Sequence, residues 1–423
     1  MIEGINAYLS QNPTAVFALL AAIVAAIYFA NEHKIMKKTM FRYLPCVFWV
    51  YFIPMVLATI GIFPDRSETY NFLKNIFLPA SLFLLFISVR IPEVIKLGPK
   101  ALGMTLIGSL GIVLGAVCGM LAIKPLFAMG KLPQEHLPYL WKGVAALSGS
   151  WIGGSANMAA VWESVVSSPQ TELEGEIYSA MVAIDVIIAY GWMAIVIALA
   201  SSQKKFDAWN KADTKMIADV NQRMKNIHEK SSKYLQTNKF LYMMALSVIV
   251  ALVCGGISTG LNGVLDDAIE SKLLRSVLGS YTILVILVTI LGLGLSFTPV
   301  NKLEEYGASR VGYALLYMVL ARLGAMANLN AIKDYPWYIL MGVIWILVHA
   351  GILLLGARIL RAPMFFAATS SQANVGGTVS APVVAGAYQP NLAVVGLLMA
   401  VFGGIFGTFL ALFGTGILAQ IIF

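Results

Sequence analysis

Apolar residues along this chain gather into runs long enough to cross a bilayer, whose hydrocarbon core of about 30 Å takes roughly 20 residues of helix. Ten such runs are predicted as transmembrane helices, at about 14–31, 43–63, 72–90, 101–123, 178–200, 238–259, 280–298, 311–330, 337–357 and 393–421. Two further segments, at about 141–165 and 364–388, are apolar at their ends but rich in Gly, Ser, Thr, Asn and Pro in the middle. They read as broken spans or re-entrant hairpins. Backbone without a helical partner persists in a bilayer only where protein or water satisfies it. The predicted fold class is all-α: a polytopic membrane protein with about ten transmembrane helices and two re-entrant or broken helical segments.

Composition supports the pattern. Of 423 residues 59% are hydrophobic and only 12% charged, with a mean hydropathy of +0.80; soluble domains carry about 25% charged residues. Soluble enzymes, nucleic-acid binders and secreted disulfide scaffolds are excluded on that ground. The formal charge of +8 would suit a polyanion partner, but the basic residues sort by loop instead. Lys204, Lys205, Lys211, Lys215, Arg223, Lys225, Lys230 and Lys233 fall in 202–237, which the positive-inside rule makes a cytoplasmic linker. With both odd segments as hairpins, 20 of the 29 Lys and Arg lie in inside loops and the N-terminus is outside. The expected location is a cytoplasmic (inner) membrane. The opening MIEGINAYLSQNPT lacks the basic residues of a secretory signal, so the first helix is expected to stay in the mature protein. Cys46, Cys118 and Cys254 stand singly in apolar runs and read as packing residues.

The chain resembles itself. SGSWIGGSANMAAV at 148–161 aligns with SQANVGGTVSAPVV at 371–384, so that Gly153-Gly154 match Gly376-Gly377. In each half four predicted spans precede the segment and one follows. Five is odd, so the second half enters the membrane the other way up, which predicts an inverted five-plus-five repeat. The halves are 1–201 and 238–423, joined by the linker 202–237.

These segments carry the candidate chemistry. Glycines let the chain turn and admit a solute to the backbone, half-helix N-termini offer partial positive charge to an anion, and carbonyl, hydroxyl and amide oxygens suit a small hard cation. The substrate- and ion-binding candidates are Ser150, Gly153, Gly154, Ser155 and Asn157 in the first segment, with Gln372, Asn374, Gly376, Gly377, Thr378 and Ser380 in the second. Tight helix packing through small residues would account for the glycines but not for Asn157, Gln372 and Asn374. Asp185, mid-span in MVAIDVIIAYGWM, is the candidate coupling site. With Asn157 and Thr378 it forms a possible set of sodium ligands. Arg322 could hold a substrate carboxylate, neutralise Asp185 or form a structural ion pair. His349 is expected to hydrogen-bond across a helix interface, Glu163 to sit in a vestibule or in solvent, and Gly111, Gly115 and Gly119 to form a packing face.

The stretches LSGSWIGGSANMAAVWE and SSQANVGGTVSAPVVAGA resemble the YjcL-like family of uncharacterised bacterial membrane proteins. More distantly, the double-glycine segments and five-span halves resemble the superfamily of sodium/solute symporters and sodium/proton antiporters. That resemblance implies a core domain holding both broken segments and moving against a scaffold that often dimerises. Substrate and sodium or protons would lie between the segments. The GGxG pattern of the citrate and glutamate symporters is absent from GGSA and GGTV, so their substrates do not transfer.

The expectation is a secondary active transporter that moves a small organic anion, amino acid or short peptide by alternating access, coupled to sodium or protons. A cation/proton exchanger without organic substrate is the rival within that class. Outside it stand a non-transporting sensor or assembly factor and an intramembrane enzyme. No GxxxxGK[ST] motif occurs. No enzymatic activity and no cofactor beyond the coupling ion are expected. The expected partners are a small-molecule substrate, the lipid bilayer and a second copy in a homodimer, with no nucleic acid.

Overall fold

The computed structural model describes residues 2–33, 36, 41, 46–224, 233–327, 336–389 and 392–422. Every regular element among them is a helix. In lipid no water is present to satisfy backbone amides, and a helix satisfies them within one segment.

Among the described residues, seven helices are long and apolar enough to cross a membrane: Pro13–Glu32, Glu68–Ile87, Pro99–Ala128, Glu172–Asn210, Thr237–Leu265, Trp337–Leu360 and Ala393–Ile422. An eighth is counted if Ser280–Ser296 and Pro299–Tyr306, bent by 92°, form one span. The expected number of ten is not confirmed among the described residues. Cys46–Thr59, with Pro54 inside it, has only 14 helical residues, and Ala308–Ala325 carries Arg310 and Arg322 in its 18. Residues 43–45 and 328–330, at the ends of two expected spans, and 225–232 in the expected linker lie outside the described residues.

The chain forms two compact units, each drawing on both halves of the sequence. The first comprises Met1–Ser88, Glu163–Ala180 and Ser232–Tyr335. Its centre is Glu68–Ile87, packed against Ser280–Ser296 and Ala308–Ala325. Ser67 caps that central helix by accepting from Thr69 N at 3.3 Å, and a widened π-helical turn at Leu73–Phe77 interrupts it.

The second unit comprises Val89–Trp162, Met181–Ser231 and Pro336–Phe423. Here Pro99–Ala128 lies along Trp337–Leu360. Gly111, Gly115 and Gly119 form the seam: a Cβ on Gly111 would lie 3.2 Å from His349 Cα, and one on Gly119 2.9 Å from the Met341 carbonyl oxygen. Trp345 crosses it, its Nε1 donating to the Ile112 carbonyl at 2.6 Å. The start of the expected linker is docked rather than loose. Asn210 Nδ2 donates to the carbonyls of Ala357 and Ala362 at 3.0 and 2.9 Å, and Asp207 accepts from Met364 N at 2.7 Å.

Candidate functional site

Each polar, glycine-bearing segment is a helical hairpin, the second lying in the second unit and the first in that unit as far as Trp162. The first has arms Leu137–Gly153 and Ser155–Val165, with Gly154 between them at φ 89°, ψ 179°. A Cβ on Gly149 would lie 3.1 Å from a Val161 methyl and 3.0 Å from the Asn157 carbonyl, whereas 12 residues of straight helix would separate positions 149 and 161 by about 18 Å. The second has arms Met364–Val375 and Gly377–Tyr388. Gln372 Nε2 donates to Ser380 Oγ at 2.8 Å across its turn, although eight residues of helix rise about 12 Å. Gly377 lies at φ 62°. Both turns need a left-handed backbone that a side chain disfavours.

The two turns meet. A Cβ built on Gly377 would lie 3.3 Å from Gly154 Cα, and one on Gly154 3.9 Å from Gly377 Cα. Gly153, Gly154, Ser155, Gly376 and Thr378 are half-buried around this point, while Ser150, Asn157, Gln372, Asn374 and Ser380 are buried. The short helices starting at Ser155 and Gly377 begin at the turns, where their free amides point toward the breaks.

Hydrogen bonds hold the hairpins in shape. Asn157 Nδ2 donates to the Gly153 carbonyl at 2.8 Å, and its Oδ1 accepts from Thr408 Oγ1 at 2.6 Å. The last helix receives this turn on glycines: a Cβ on Gly153 would lie 2.9 Å from Gly404 Cα, and one on Gly407 3.1 Å from Gly153 Cα. Ser148 Oγ pairs with Thr415 Oγ1 at 2.7 Å, inside the π-helical segment Leu410–Gly416. In the second hairpin, Asn374 is satisfied when its amide nitrogen donates to the carbonyls of Ser370 and Thr105, at 3.0 and 3.3 Å, and its oxygen accepts from Ser109 Oγ at 2.9 Å.

Trp192 Nε1 donates to Ser371 Oγ at 2.8 Å, and that hydroxyl lies 3.0 Å from His349 Nε2. His349 Nδ1 lies 3.0 Å from the Gly108 carbonyl, which can only accept. This assigns the proton to Nδ1 and makes Nε2 the acceptor from Ser371. His349 thus bridges helices, as expected.

Asp185 is half-buried in the second unit. Its Oδ2 accepts from Ser150 Oγ and its Oδ1 from Trp151 Nε1, both at 2.8 Å. Both carboxylate oxygens are engaged, and so is the Asn157 oxygen. A sodium ion taking Asp185, Asn157 and Thr378 together would have to displace those donors.

Arg322 has Glu163 as its ion-pair partner. It belongs to the first unit, where it is 4% exposed and forms an ion pair and hydrogen bond with Glu163, itself 2% exposed. Lys74 Nζ stands 3.0 Å from the other Glu163 oxygen. Glu163 is therefore neither in solvent nor alone: desolvating one carboxylate is tolerable when two cations face it. Sequence reading did not join these residues, nor find Lys74, Trp192, Thr408 and Thr415. The two threonines, polar points in a glycine-rich apolar run, were the available signal; Lys74 and Glu163 gave none at their sequence separation.

Together these features define a polytopic helical membrane protein whose hairpin tips face one another. The family described as "Protein of unknown function (DUF819)" matches residues 16–421, and the chain belongs to that family. It is similar to the Bacillus subtilis (strain 168) "Uncharacterized membrane protein YjcL", with 24% identity over 365 residues, covering 84% of this chain and 86% of that protein.

Proposed function

We propose that the protein is a secondary active transporter that binds a small organic anion, amino acid or short peptide between the hairpin turns. It moves that solute by alternating access, coupled to sodium or protons. The observation that carries this reading is the meeting of two glycine-broken hairpins at Gly154 and Gly377. Non-helical backbone at membrane depth lines cavities, and paired broken helices are the usual construction of transporter binding sites. Among the described residues, Thr369 Oγ1, Ser370 Oγ and Gln372 Oε1 are buried in the second hairpin without hydrogen-bond partners. Such atoms cost free energy unless water, an ion or a solute reaches them. The helix starts at Ser155 and Gly377 favour an anionic group at the turns.

Asp185 is assigned the coupling role, exchanging Ser150 and Trp151 for a cation or proton. In this reading the chain resides in a bacterial cytoplasmic membrane with its N-terminus outside, works as a homodimer and catalyses no covalent chemistry. The test is uptake into proteoliposomes of labelled organic acids, amino acids and dipeptides, driven by a sodium or a proton gradient. Uptake that follows one gradient and falls at least tenfold in Asp185→Asn is the expected outcome. Absence of gradient-driven movement of any tested solute overturns the proposal.

A further inference from the structure

The first unit holds a cavity of about 1220 Å³ that the hairpin reading does not use. Apolar wall comes from Phe63, Ala325 and Met326. Of its charged residues, Asp65, Arg66, Glu68 and Glu172 are exposed and Glu176 is half-buried, whereas Lys74 is largely covered and Arg322 buried. The covered end of the cavity is thus cationic.

That end has an excess of positive charge and an unused donor. Lys74 and Arg322 bring two cations against the single carboxylate of Glu163. Arg322 engages Glu163 through a terminal nitrogen, but its Nε is buried with no hydrogen-bond partner among the described residues. Guanidinium has five donors in a planar fork, and an unmet one in low dielectric is costly. Lys74 is held in place from below: its carbonyl accepts from Tyr281 OH at 2.7 Å, and its Nζ lies 5.0 Å from the Tyr281 ring centre. A carboxylate entering the cavity would supply the missing negative charge.

We infer that this cavity is a second solute site, taking a small carboxylate-bearing organic solute whose carboxylate faces Lys74 and Arg322 at the covered end. The site lies within the first unit and does not rest on the hairpin reading.

Titration calorimetry of the full chain in detergent, with potassium phenylacetate and its neutral isostere phenylacetamide, tests the inference. Phenylacetate is expected to bind and phenylacetamide to bind at least tenfold more weakly. Lys74→Gln is expected to weaken phenylacetate about tenfold, the loss of one charged hydrogen bond. Glu163→Gln, which raises the positive charge of the cluster, is expected to tighten it several-fold. Gly386→Ala, on a helical arm of the second hairpin, is expected to leave the affinity unchanged. The inference is overturned if phenylacetate does not bind, if the amide binds equally, or if Lys74→Gln has no effect.

Discussion

The most costly side chains in this protein are the charges it buries, and Glu163 is the most constrained of them. A carboxylate removed from water is stable here only because Arg322 and Lys74 face it. The reverse also holds: removing Glu163 leaves Arg322 buried without a counter-charge. Glu163→Ala is therefore expected to destabilise the folded protein by about 3–5 kcal/mol, and Glu163→Ala combined with Arg322→Met to recover most of that loss. Thermal unfolding in detergent checks both, and additive losses in the double variant would contradict the pairing. Arg322 was conspicuous in the sequence as a charge inside an apolar run, but its partner was not legible. Glu163 stands 159 positions away, just past a polar segment where a solvated carboxylate is ordinary. Asp185 was legible as an isolated mid-span acid; that its partners are Ser150 and an indole N–H depends on packing between two elements that no local pattern encodes.

Among the elements, the two hairpins were the most legible, because Gly, Asn, Gln, Ser and Thr inside apolar runs contradict a plain lipid-facing helix. Spacing alone left hairpin and crossing forms open. The direction of the chain after Gly154 and Gly377 is fixed by contacts such as Gln372 to Ser380 and position 149 to Val161. Less legible were the π-helical turns at Leu73–Phe77 and Leu410–Gly416, where the ladder changes register without a compositional mark. The count of ten is not confirmed for a related reason: apolar runs at 43–63 and 311–330 do not show where helices stop. The turns themselves make a prediction. Alanine at Gly377 requires a left-handed backbone at φ 62° and a methyl group 3.3 Å from Gly154 Cα. The conformational cost alone is about 1–2 kcal/mol. Solute uptake is expected to fall at least tenfold in Gly377→Ala. Gly386→Ala is expected to be neutral, because it lies on a helical arm of the same hairpin where a Cβ meets only Ala393 at 3.9 Å. Equal rates for the two variants would separate transport from the meeting of the turns.

For the whole molecule, the decisive quantity is parity. A hairpin returns the chain to the side it entered from, so the segments before and after it share a compartment, whereas a crossing segment separates them. In the proposed reading, five crossings in each half would put the second half upside down relative to the first, and the basic linker would fall on the cytoplasmic side. Single cysteines in a background lacking Cys46, Cys118 and Cys254 can measure this through labelling of intact spheroplasts by a membrane-impermeant maleimide. Lys131 and Glu172 flank the first hairpin at exposed positions, and Arg358 and Ala387 lie on exposed sites around the second. Lys131→Cys and Glu172→Cys are expected to label from outside, and Arg358→Cys and Ala387→Cys only after permeabilisation, together with Lys204→Cys in the linker. Opposite sidedness within either flanking pair would make that segment a crossing one and remove the inverted relation between the halves. External labelling at Lys204 would reverse the orientation while leaving the hairpins intact. The two errors therefore give different labelling patterns, and the orientation of the chain can be corrected without discarding the meeting of Gly154 and Gly377.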